Sequence, residues 1–578
     1  MRNNVIRNDV RRKRGLSSED LVYRVFASRH RWLAVVATLV LCAALALAGG
    51  YLLAEFGVLV AGAGLFALFL GLWMLRDIEV AYWVLIGVVC LLPFASFPFD
   101  IGFTPTLLDG AMGALFFVWA LQIATGAQRE FVGTPLGLPI GVFMMLAVGS
   151  FVFGLSHAPL TPYILRHFGE VMLSVVLFFL VVNTVRDARR LARIVRALIL
   201  CAFAAAVLGI LLYLVAAYIS EDLVIRALSA LGRLGYPAGP GVLRYIRDDP
   251  ELSMRATSTS VDPNVLGSLL NLTLGIAVTQ LFARRPIIRR RALVLVVGVM
   301  ALCLGLTMSR GSLVGLGGAL AVVATLRYRK LWLLLIAAAV LLLILPQAQD
   351  LVVHFLEGFR FEDLATQMRL GEYKDALILI QRYPWLGVGF SGSPDIDTYL
   401  GVSTVYLLIA EQMGLVGLAS FLVVMVVLFA RFWRTRAQAA AVDLKAIPEG
   451  VPAAETVTGF ASSTAWGDHR RDPQAGWLTE TSSQAEPVKA AELVEAAGPV
   501  EAAEPVEAFD RAHAEVPDLE PLWWGLHTGL IGALGGGVCD HYFFNPDFHH
   551  SVTLFWLIVG LATAATEIVR RRGDAGTR

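Results

Sequence analysis

Residues 365–390 read ATQMRLGEYKDALILIQRYPWLGVGF, and residues 403–418 read STVYLLIAEQMGLVGL. The first stretch belongs to the longest polar interruption between hydrophobic segments on the predicted outer side of the chain. Apolar side chains recur within it at the spacing of one helical face, at Leu370, Tyr373, Leu377 and Ile380. This spacing predicts an amphipathic helix from Asp363 to Arg382 whose apolar face lies against a membrane domain.

The other faces of this predicted helix are polar and carry Arg369, Glu372, Lys374, Asp375 and Arg382. Tyr383-Pro384 should end the helix, because proline has no N–H for the next helical hydrogen bond. The following Gly387-Val388-Gly389 predicts a tight turn, since glycine tolerates positive φ. A polar surface is thus expected at the edge of the membrane.

Composition indicates a polytopic membrane protein. Of 578 residues, 57% are hydrophobic and only 16% are charged, and the mean hydropathy is +0.68. These values lie far outside the range of soluble domains, and nothing in them favours a nucleic-acid partner. The five cysteines are scattered through apolar runs, without the close pairing of a metal site or a disulfide framework.

The hydrophobic segments predict about fourteen membrane-spanning helices, each near the ~20 residues needed to cross the hydrocarbon core. They lie near residues 32–49, 52–75, 80–97, 106–125, 136–155, 168–185, 195–219, 261–283, 292–308, 311–326, 331–346, 403–430, 522–540 and 551–569. Alternate placement puts the arginine-rich segments, and both termini, on the cytoplasmic side. Either of two weaker pairs, 32–49 with 52–75 or 292–308 with 311–326, leaves the count open.

The segment 437–520 differs in composition from the rest. It has about 16 acidic and 5 basic residues and repeats the hexad Val-Glu-Ala-Ala-x-Pro at 494–499 and 500–505. Such a segment cannot bury enough apolar surface to fold, which predicts a disordered cytoplasmic insert serving as a spacer or a regulatory tail. Without this segment, the chain has 42 basic and 30 acidic residues, a net charge of +12.

The predicted organisation is all-α, with an extracytoplasmic helical loop. A basic cytoplasmic N-terminus precedes a membrane domain with two outer loops, followed by the insert and then by the last two spans with a basic tail. These parts are residues 1–31, 32–436 with loops 220–260 and 347–402, 437–520, and 521–578.

Several arginines fall on the predicted outer side: Arg166, Arg226, Arg233, Arg244, Arg247, Arg255, Arg310, Arg360, Arg369 and Arg382. Arg310 lies between two apolar runs with no room for a solvated loop, and a charge at that depth is costly and usually functional. The alternative is an arginine that snorkels to lipid phosphates. Arg255 precedes Asp262-Pro263, a predicted helix N-cap, and is a candidate anion ligand.

Fixed guanidinium groups at the outer face of an apolar scaffold fit a lipid-linked diphosphate. Arginine binds phosphate oxygens through two hydrogen bonds and keeps its proton, so it can stabilise a diphosphate leaving group without a metal. No DxD, HExxH or cysteine pair competes with this interpretation, and the Asp540-His541-Tyr542 and His549-His550 groups lack metal-site spacing.

These motifs, in this order, resemble the O-antigen ligase and polymerase family. The residues that carry the resemblance are Arg255 with Ser260-Val261-Asp262-Pro263-Asn264, Ser309-Arg310-Gly311, Arg369 with Tyr373, Ala376 and Pro384-x-x-Gly387-x-Gly389, and Tyr406-Leu407 with Glu411-x-x-Gly414-Leu415-x-Gly417. Asp540, Phe544 and Pro546 extend it more weakly into the last two spans.

The resemblance implies a GT-C-like, inverting, metal-independent glycosyltransferase with no cofactor. Proteins of this family transfer a glycan from undecaprenyl diphosphate to a glycan or lipid acceptor at the outer face of the cytoplasmic (inner) membrane. Their outer arginines bind the diphosphate, a role that falls here on Arg255, Arg310 and Arg369, with Arg382 assisting. Polysaccharide assembly proteins are expected partners.

One position departs from the family pattern. Ligases of the family carry His-Asn before the Tyr-Leu pair, and that His is the proposed activator of the acceptor hydroxyl; this chain has Ser403 and Thr404. An unassisted serine is a poor base at neutral pH, which leaves Glu372, Asp375 or His541 for the role. The change favours a polysaccharide polymerase, or an acceptor other than that of the ligases.

Two other functions remain as alternatives. An anion transporter should have charges near the bilayer midplane and an internal repeat, and the sequence has neither feature. A flippase for lipid-linked glycans needs a polar central cavity, whereas spans such as 331–345 are purely apolar.

Overall fold

The computed structural model describes residues 68–97, 102–246, 249–250, 252–344, 364–392, 401–445 and 518–575, with isolated residues between 36 and 66. Most of the first two predicted spans lies outside these residues, as do Arg247, Arg360 and residues 446–517 of the predicted insert.

The described residues are almost entirely helical. The first half contains α1 Ile78–Leu91, α2 Leu107–Ala124, α3 Gly137–Gly154, α4 Pro162–Thr184, α5 Ala188–Tyr218, α6 Glu221–Ser229 and α7 Pro263–Gln280. The second half contains α8 Arg290–Leu306, α9 Arg310–Leu326, α10 Leu331–Ile344, α11 Leu364–Arg382, α12 Val405–Lys445, α13 Leu519–Gly536 and α14 His549–Ala575. Two short antiparallel strands, β1 Arg244–Tyr245 and β2 Met254–Arg255, lie between α6 and α7. The chain is an all-α membrane protein.

Six helices are long and apolar enough to cross a membrane, among the residues that the structure describes. They are Leu107–Ala124, Gly137–Gly154, Pro162–Thr184, Ala188–Tyr218, Val405–Ala440 and Pro546–Asp574. Each coincides with a predicted span, and the total of fourteen stays a prediction. The predicted bounds of the disordered insert, 437–520, are wrong at both ends: α12 continues through 437–445 to Lys445, and α13 begins at Leu519.

Contacts divide the chain into two units. One consists of Met1–Val84 and Gly113–Gln128. The other consists of Leu85–Met112 and Arg129–Arg578, and it contains every helix from α3 onward. All the residues predicted to form the site belong to this larger unit.

Helix α13 packs between α7 and α9, and glycine allows the backbones to approach closely. A Cβ atom on Gly275 would lie 2.9 Å from the Gly529 nitrogen, and one on Gly315 would lie 2.5 Å from the Gly532 oxygen. The Asn271 amide donates to that same Gly532 oxygen at 2.8 Å. Small residues at such a seam are typical of membrane helices, whose association depends on close packing. Asn271 of α7 faces Gly532 of α13, and Gly275 faces Gly529, so the two helices are antiparallel.

The turn after α11 docks onto a kink in α12. Gly387 and Gly389 have positive φ, as the glycine turn predicts, and so does Gly414 within α12 (φ 71°). The N–H of Val388 donates to the Glu411 carbonyl at 2.8 Å, which the kink leaves without its helical partner. A Cβ atom on Gly414 would lie 2.1 Å from the Trp385 oxygen. The two glycine motifs therefore fit each other, backbone against backbone.

Candidate active site

The N-termini of three helices meet at the C-terminal end of α13. Gly311, in the first turn of α9, lies so close to the Asp540 carboxylate that a Cβ atom there would be 2.5 Å from Oδ2. The hydroxyl of Tyr542 donates to Asp262, the residue before α7, at 3.3 Å. The Val405 N–H, at the start of α12, donates to the Gly537 carbonyl at 2.9 Å. Because helix N-termini carry partial positive charge, this end of the bundle favours an anion.

Asp540 occupies the middle of this arrangement. It is buried, and its Oδ1 lies 3.4 Å from Nη2 of Arg369. Arg255 and Arg310 are its other positively charged neighbours, and Asp262 is the nearby acid. The structure thus brings three of the four arginines predicted to bind diphosphate around a single carboxylate.

Burial raises the pKa of Asp540 to about 6, and the attraction of Arg369 offsets only part of that effect. The carboxyl group therefore changes charge near neutral pH, in a site where its charge competes with that of any other anion.

Arg255 is held by two acceptors at the edge of the site. Its Nε donates to the Thr307 carbonyl at 2.8 Å, and its Nη2 donates to Oδ1 of Asn264 at 2.7 Å. These bonds leave further guanidinium N–H groups for a ligand. The predicted cap is confirmed: the Asp262 side chain accepts from the N–H groups of Asn264 and Val265, and Pro263 begins α7.

Backbone strain is concentrated beside these residues. The non-glycine residues with positive φ in the described part of the chain are Ser258 (53°), Val261 (60°) and Met308 (52°). Val261 directly precedes Asp262, and Met308 is two residues before Arg310. A β-branched residue with positive φ is a genuine outlier, and such strain is typical of functional sites.

The predicted helix in the outer loop is confirmed as α11, but its predicted buried face is only partly right. Ile380 is buried and Tyr373 is half-buried, as predicted, whereas Leu370 and Leu377 are exposed. Ala376 and Leu379 are buried with Ile380 instead. The covered face therefore begins at Arg369 and Glu372 and continues along the helix through these three residues. Polar side chains turn inward here because each finds a partner, Asp540 for Arg369 and Ser403 for Glu372.

Glu372 and Ser403 form a hydrogen-bonded pair. Oε2 of Glu372 accepts from the Ser403 N–H at 3.0 Å and from the Ser403 hydroxyl at 2.5 Å. Tyr373, beside Glu372, has both Arg369 and Asp540 among its charged neighbours, so this pair lies next to the arginines. The serine at the position of the family histidine is thus joined to a carboxylate.

Glu411 supports this pair from within α12. It is buried, and its Oε1 accepts from the N–H of Gly401 at 3.3 Å, two residues before Ser403. Glu372 and Asp375 are its acidic neighbours. Asp375 therefore lies on the same side of α11 as Glu372, one turn further along.

Arg382 and His541 are placed differently. Arg382 is exposed at the end of α11, about 20 Å along the helix from Arg369, so the structure does not bring it to the other three arginines. His541 lies beside Tyr542, and its Nδ1 is buried without a hydrogen-bond partner. Burial, together with the Arg369 charge, lowers the pKa of His541 to about 4, which makes it a weak proton acceptor near pH 7.

Among the described residues, one group has the geometry to hold a cation: Asp109, Glu170 and His549. Arg166 already bridges the two carboxylates, with distances of 3.1 Å to Asp109 and 2.7 Å to Glu170. Its charge balances that of the acids, so the group is better explained as an ion-pair network than as a metal centre.

Residues 295–422 match the family model described as O-antigen ligase. This part of the chain is similar to the O-antigen ligase domain. The domain runs from α8 into α12 and includes Arg310, Arg369, Glu372 and Ser403. It confirms the resemblance carried by the arginine and glycine motifs. No match was found among curated proteins.

Sequence reasoning alone misses the position of Asp540. The acid follows a glycine-rich helix end, and the sequence favours a structural role for the Asp540-His541-Tyr542 group. The packing of α13 against α9 is what places Asp540 next to Gly311, at the start of α9. The Glu372–Ser403 bond was also not predictable, because its partners are 31 positions apart in the chain.

Proposed function

We propose that the chain is an inverting, metal-independent glycosyltransferase that joins or polymerises oligosaccharides linked to undecaprenyl diphosphate. The observation that carries this proposal is the arrangement of Arg255, Arg310 and Arg369 around Asp540, whose carboxylate also lies against the first turn of α9. A diphosphate needs several fixed donors and positive charges, and this arrangement supplies them. Asp540 holds the place of that anion until the donor binds.

The reaction follows from the two parts of the site. Glu372 takes the proton of the acceptor hydroxyl as that oxygen attacks the anomeric carbon of the donor sugar. The bond from that carbon to the diphosphate oxygen breaks, and the electron pair leaves with the diphosphate. Arg255, Arg310 and Arg369 stabilise the charge that develops on it. Attack from the side opposite the leaving group inverts the configuration.

Ser403 orients the base in this scheme. Its N–H and hydroxyl both donate to Oε2 of Glu372, which directs the remaining carboxylate oxygen toward the acceptor. Glu411 positions Ser403 in turn, through the Gly401 N–H. Asp375 and His541 are secondary candidates for the base, since Asp375 lies one turn away and the lowered pKa of His541 weakens it.

The proposal includes the placement of the chain in the cell envelope. It has a GT-C-like bundle of fourteen spans in the cytoplasmic membrane, with both termini in the cytoplasm and residues 220–260 and 347–402 outside. Residues 437–520 form an acidic insert on the cytoplasmic side. The positively charged segments at the predicted inner ends of the helices support this orientation.

The acceptor is proposed to be a growing glycan, with a lipid as the alternative. Replacement of the family histidine by Ser403 favours the polymerase over the ligase. Polysaccharide assembly proteins are proposed partners. A radiolabelled glycan distinguishes the two activities. A polymerase transfers it from one lipid-linked unit to another, whereas a ligase transfers it to a lipid acceptor.

Arginine-to-lysine substitutions test the diphosphate site. Lysine at position 310 or 369 keeps the charge but loses the paired hydrogen bonds, each worth about 1.5–3 kcal/mol. We expect glycan transfer from purified lipid-diphosphate donor in nanodiscs to fall roughly ten- to hundredfold for either variant. Arg571→Lys, in the last turns of α14, is the matched control and should retain full activity.

Two results would contradict the proposal. Near-normal activity of both Arg310→Lys and Arg369→Lys excludes a diphosphate held by paired hydrogen bonds. Loss of wild-type activity in the presence of a chelator excludes the metal-independent mechanism. The Arg382→Lys variant is expected to retain most activity, because about 20 Å of helix separates Arg382 from Arg369.

A further inference from the structure

A basic cavity lies at the C-terminal end of α7 and the N-terminal end of α8, the ends opposite to Arg255 and Arg310. It has a volume of about 710 Å³ and is lined by Arg196, Arg284, Arg289, Arg290 and the segment 286–288. Arg196 comes from α5, and the other lining residues form the loop before α8 and its first residue. The volume falls within the ~300–1,000 Å³ typical of small-molecule sites.

The charges of this cavity are poorly balanced. None of the residues that line it is acidic. Among the described residues, no carboxylate forms a salt bridge with Arg196, Arg284 or Arg289. Arg290 donates to the Ala283 carbonyl at 2.7 Å, which is a neutral partner. Four guanidinium groups around one space repel each other unless an anion lies between them.

One acidic residue contacts the loop that lines the cavity, and it does so through backbone N–H groups. Asp518, before α13, accepts from the N–H groups of Arg284 and Arg285 at 2.5 and 3.1 Å. This contact fixes the loop but leaves the Arg284 side chain to the cavity. The first turn of α8 adds to the positive potential, since its N-cap residue, Arg289, makes no side-chain cap.

Apolar surface continues from the cavity along both helices. Val294 is exposed one turn beyond Arg290 on α8, and Leu200 is exposed one turn beyond Arg196 on α5. Helices α5 and α8 pack against each other, so these surfaces are neighbours. A ligand that combines a phosphate with long hydrocarbon chains can contact both the arginines and the apolar surface, whereas a free phosphate contacts the arginines alone.

We propose that this cavity binds the headgroup of an anionic phospholipid, such as phosphatidylglycerol, with its acyl chains along α5 and α8. Basic pockets at helix ends bind such headgroups through charge as well as hydrogen bonds. The site is independent of the glycosyl-transfer site and stands whether or not the proposed reaction is correct.

Native mass spectrometry of the full chain in detergent tests the proposal. The probe is dioleoyl-phosphatidylglycerol, compared with dioleoyl-phosphatidylcholine. We expect selective binding of the anionic lipid and a roughly hundredfold weaker affinity in the triple variant Arg196→Gln, Arg284→Gln, Arg289→Gln, at about fivefold for each arginine. The corresponding triple lysine variant should keep most of the affinity, because it keeps the charge.

The control replaces Arg571 and Arg572, two exposed arginines at the end of α14, by glutamine; it should bind the lipid like the wild type. Unchanged affinity of the triple glutamine variant, or equal binding of phosphatidylcholine, overturns the proposal. Full competition by inorganic phosphate identifies a phosphate site instead. If the lipid binds only after residues 446–517 are replaced by a Gly/Ser linker, the acidic segment is the natural occupant and the proposal fails.

Discussion

Glu372→Gln separates the role of Glu372 as a base from its role in the structure. Glutamine has the same shape, and its carbonyl oxygen can still accept from the Ser403 N–H and hydroxyl, now at 3.0 and 2.5 Å from Oε2. Two hydrogen bonds to a charged acceptor become two to a neutral one, which costs about 2–3 kcal/mol of stability. Loss of the proton acceptor should lower turnover roughly 10²–10⁴-fold in the protein that remains folded.

The measurement is glycan transfer in nanodiscs, with the donor concentration varied. We expect kcat to fall and the donor KM to change little, because the arginines proposed to bind the diphosphate are intact. Glu130→Gln, the same change at an exposed acid, is the control and should have no effect. Asp375→Asn tests the neighbouring candidate and should reduce turnover by much less than Glu372→Gln.

A second substitution tests whether the base acts at the position of the family histidine. Histidine at 403 in the Glu372→Gln background should restore part of the activity, since it returns an imidazole to the place where the ligases of the family carry one. Turnover of Glu372→Gln within about threefold of the wild type, well short of the expected loss, would refute the assignment. A loss of kcat that Asp375→Asn reproduces in full would refute the choice between the two acids.

Three further outcomes are expected. Burial raises the pKa of Asp540 to about 6, so the folded chain holds a proton there that the unfolded chain has lost, and stability should fall as pH rises through about 6. The donor KM should rise over the same pH range, because the ionised Asp540 competes with the donor for the arginines. Asp540→Asn should remove both pH effects, and a KM that still rises in this variant would contradict the competition. Gly414→Ala, at φ 71° against backbone, should lower the thermal stability in detergent by several degrees; an unchanged unfolding temperature would contradict the docked turn. Cysteines at Ser391 and Asp547 should react with a membrane-impermeant reagent added outside cells and one at Ser482 should not; labelling at Ser482 would reverse the orientation.

The sequence predicts best those features that depend on neighbours in the chain. The helix of α11, the turn at Gly387 and the cap at Asp262 all follow from local spacing and backbone chemistry, and the structure contains each of them. The covered face of α11 was predicted correctly at Ile380 and wrongly at Leu370 and Leu377, because the pattern weighs hydrophobicity alone. Arg369 and Glu372 turn inward for partners that lie far away in the chain.

The arrangement around Asp540 depends on tertiary packing. Arg255, Arg310 and Arg369 can each be selected from the sequence as unusual charges, but nothing local relates them to one another. Their meeting point is set by where α13 ends against α7 and α9, and that register depends on which glycines face each other. Periodicity carries no information about such a register.

Arg369 and Glu372 lie one turn apart on the same rigid helix, α11. A donor that displaces Asp540 from Arg369 therefore acts on the helix that also carries the proposed base, Glu372. We expect this linkage to couple the two substrates: a donor that moves Arg369 also moves Glu372 and its partner Ser403, so donor binding should change the affinity of the site for the acceptor.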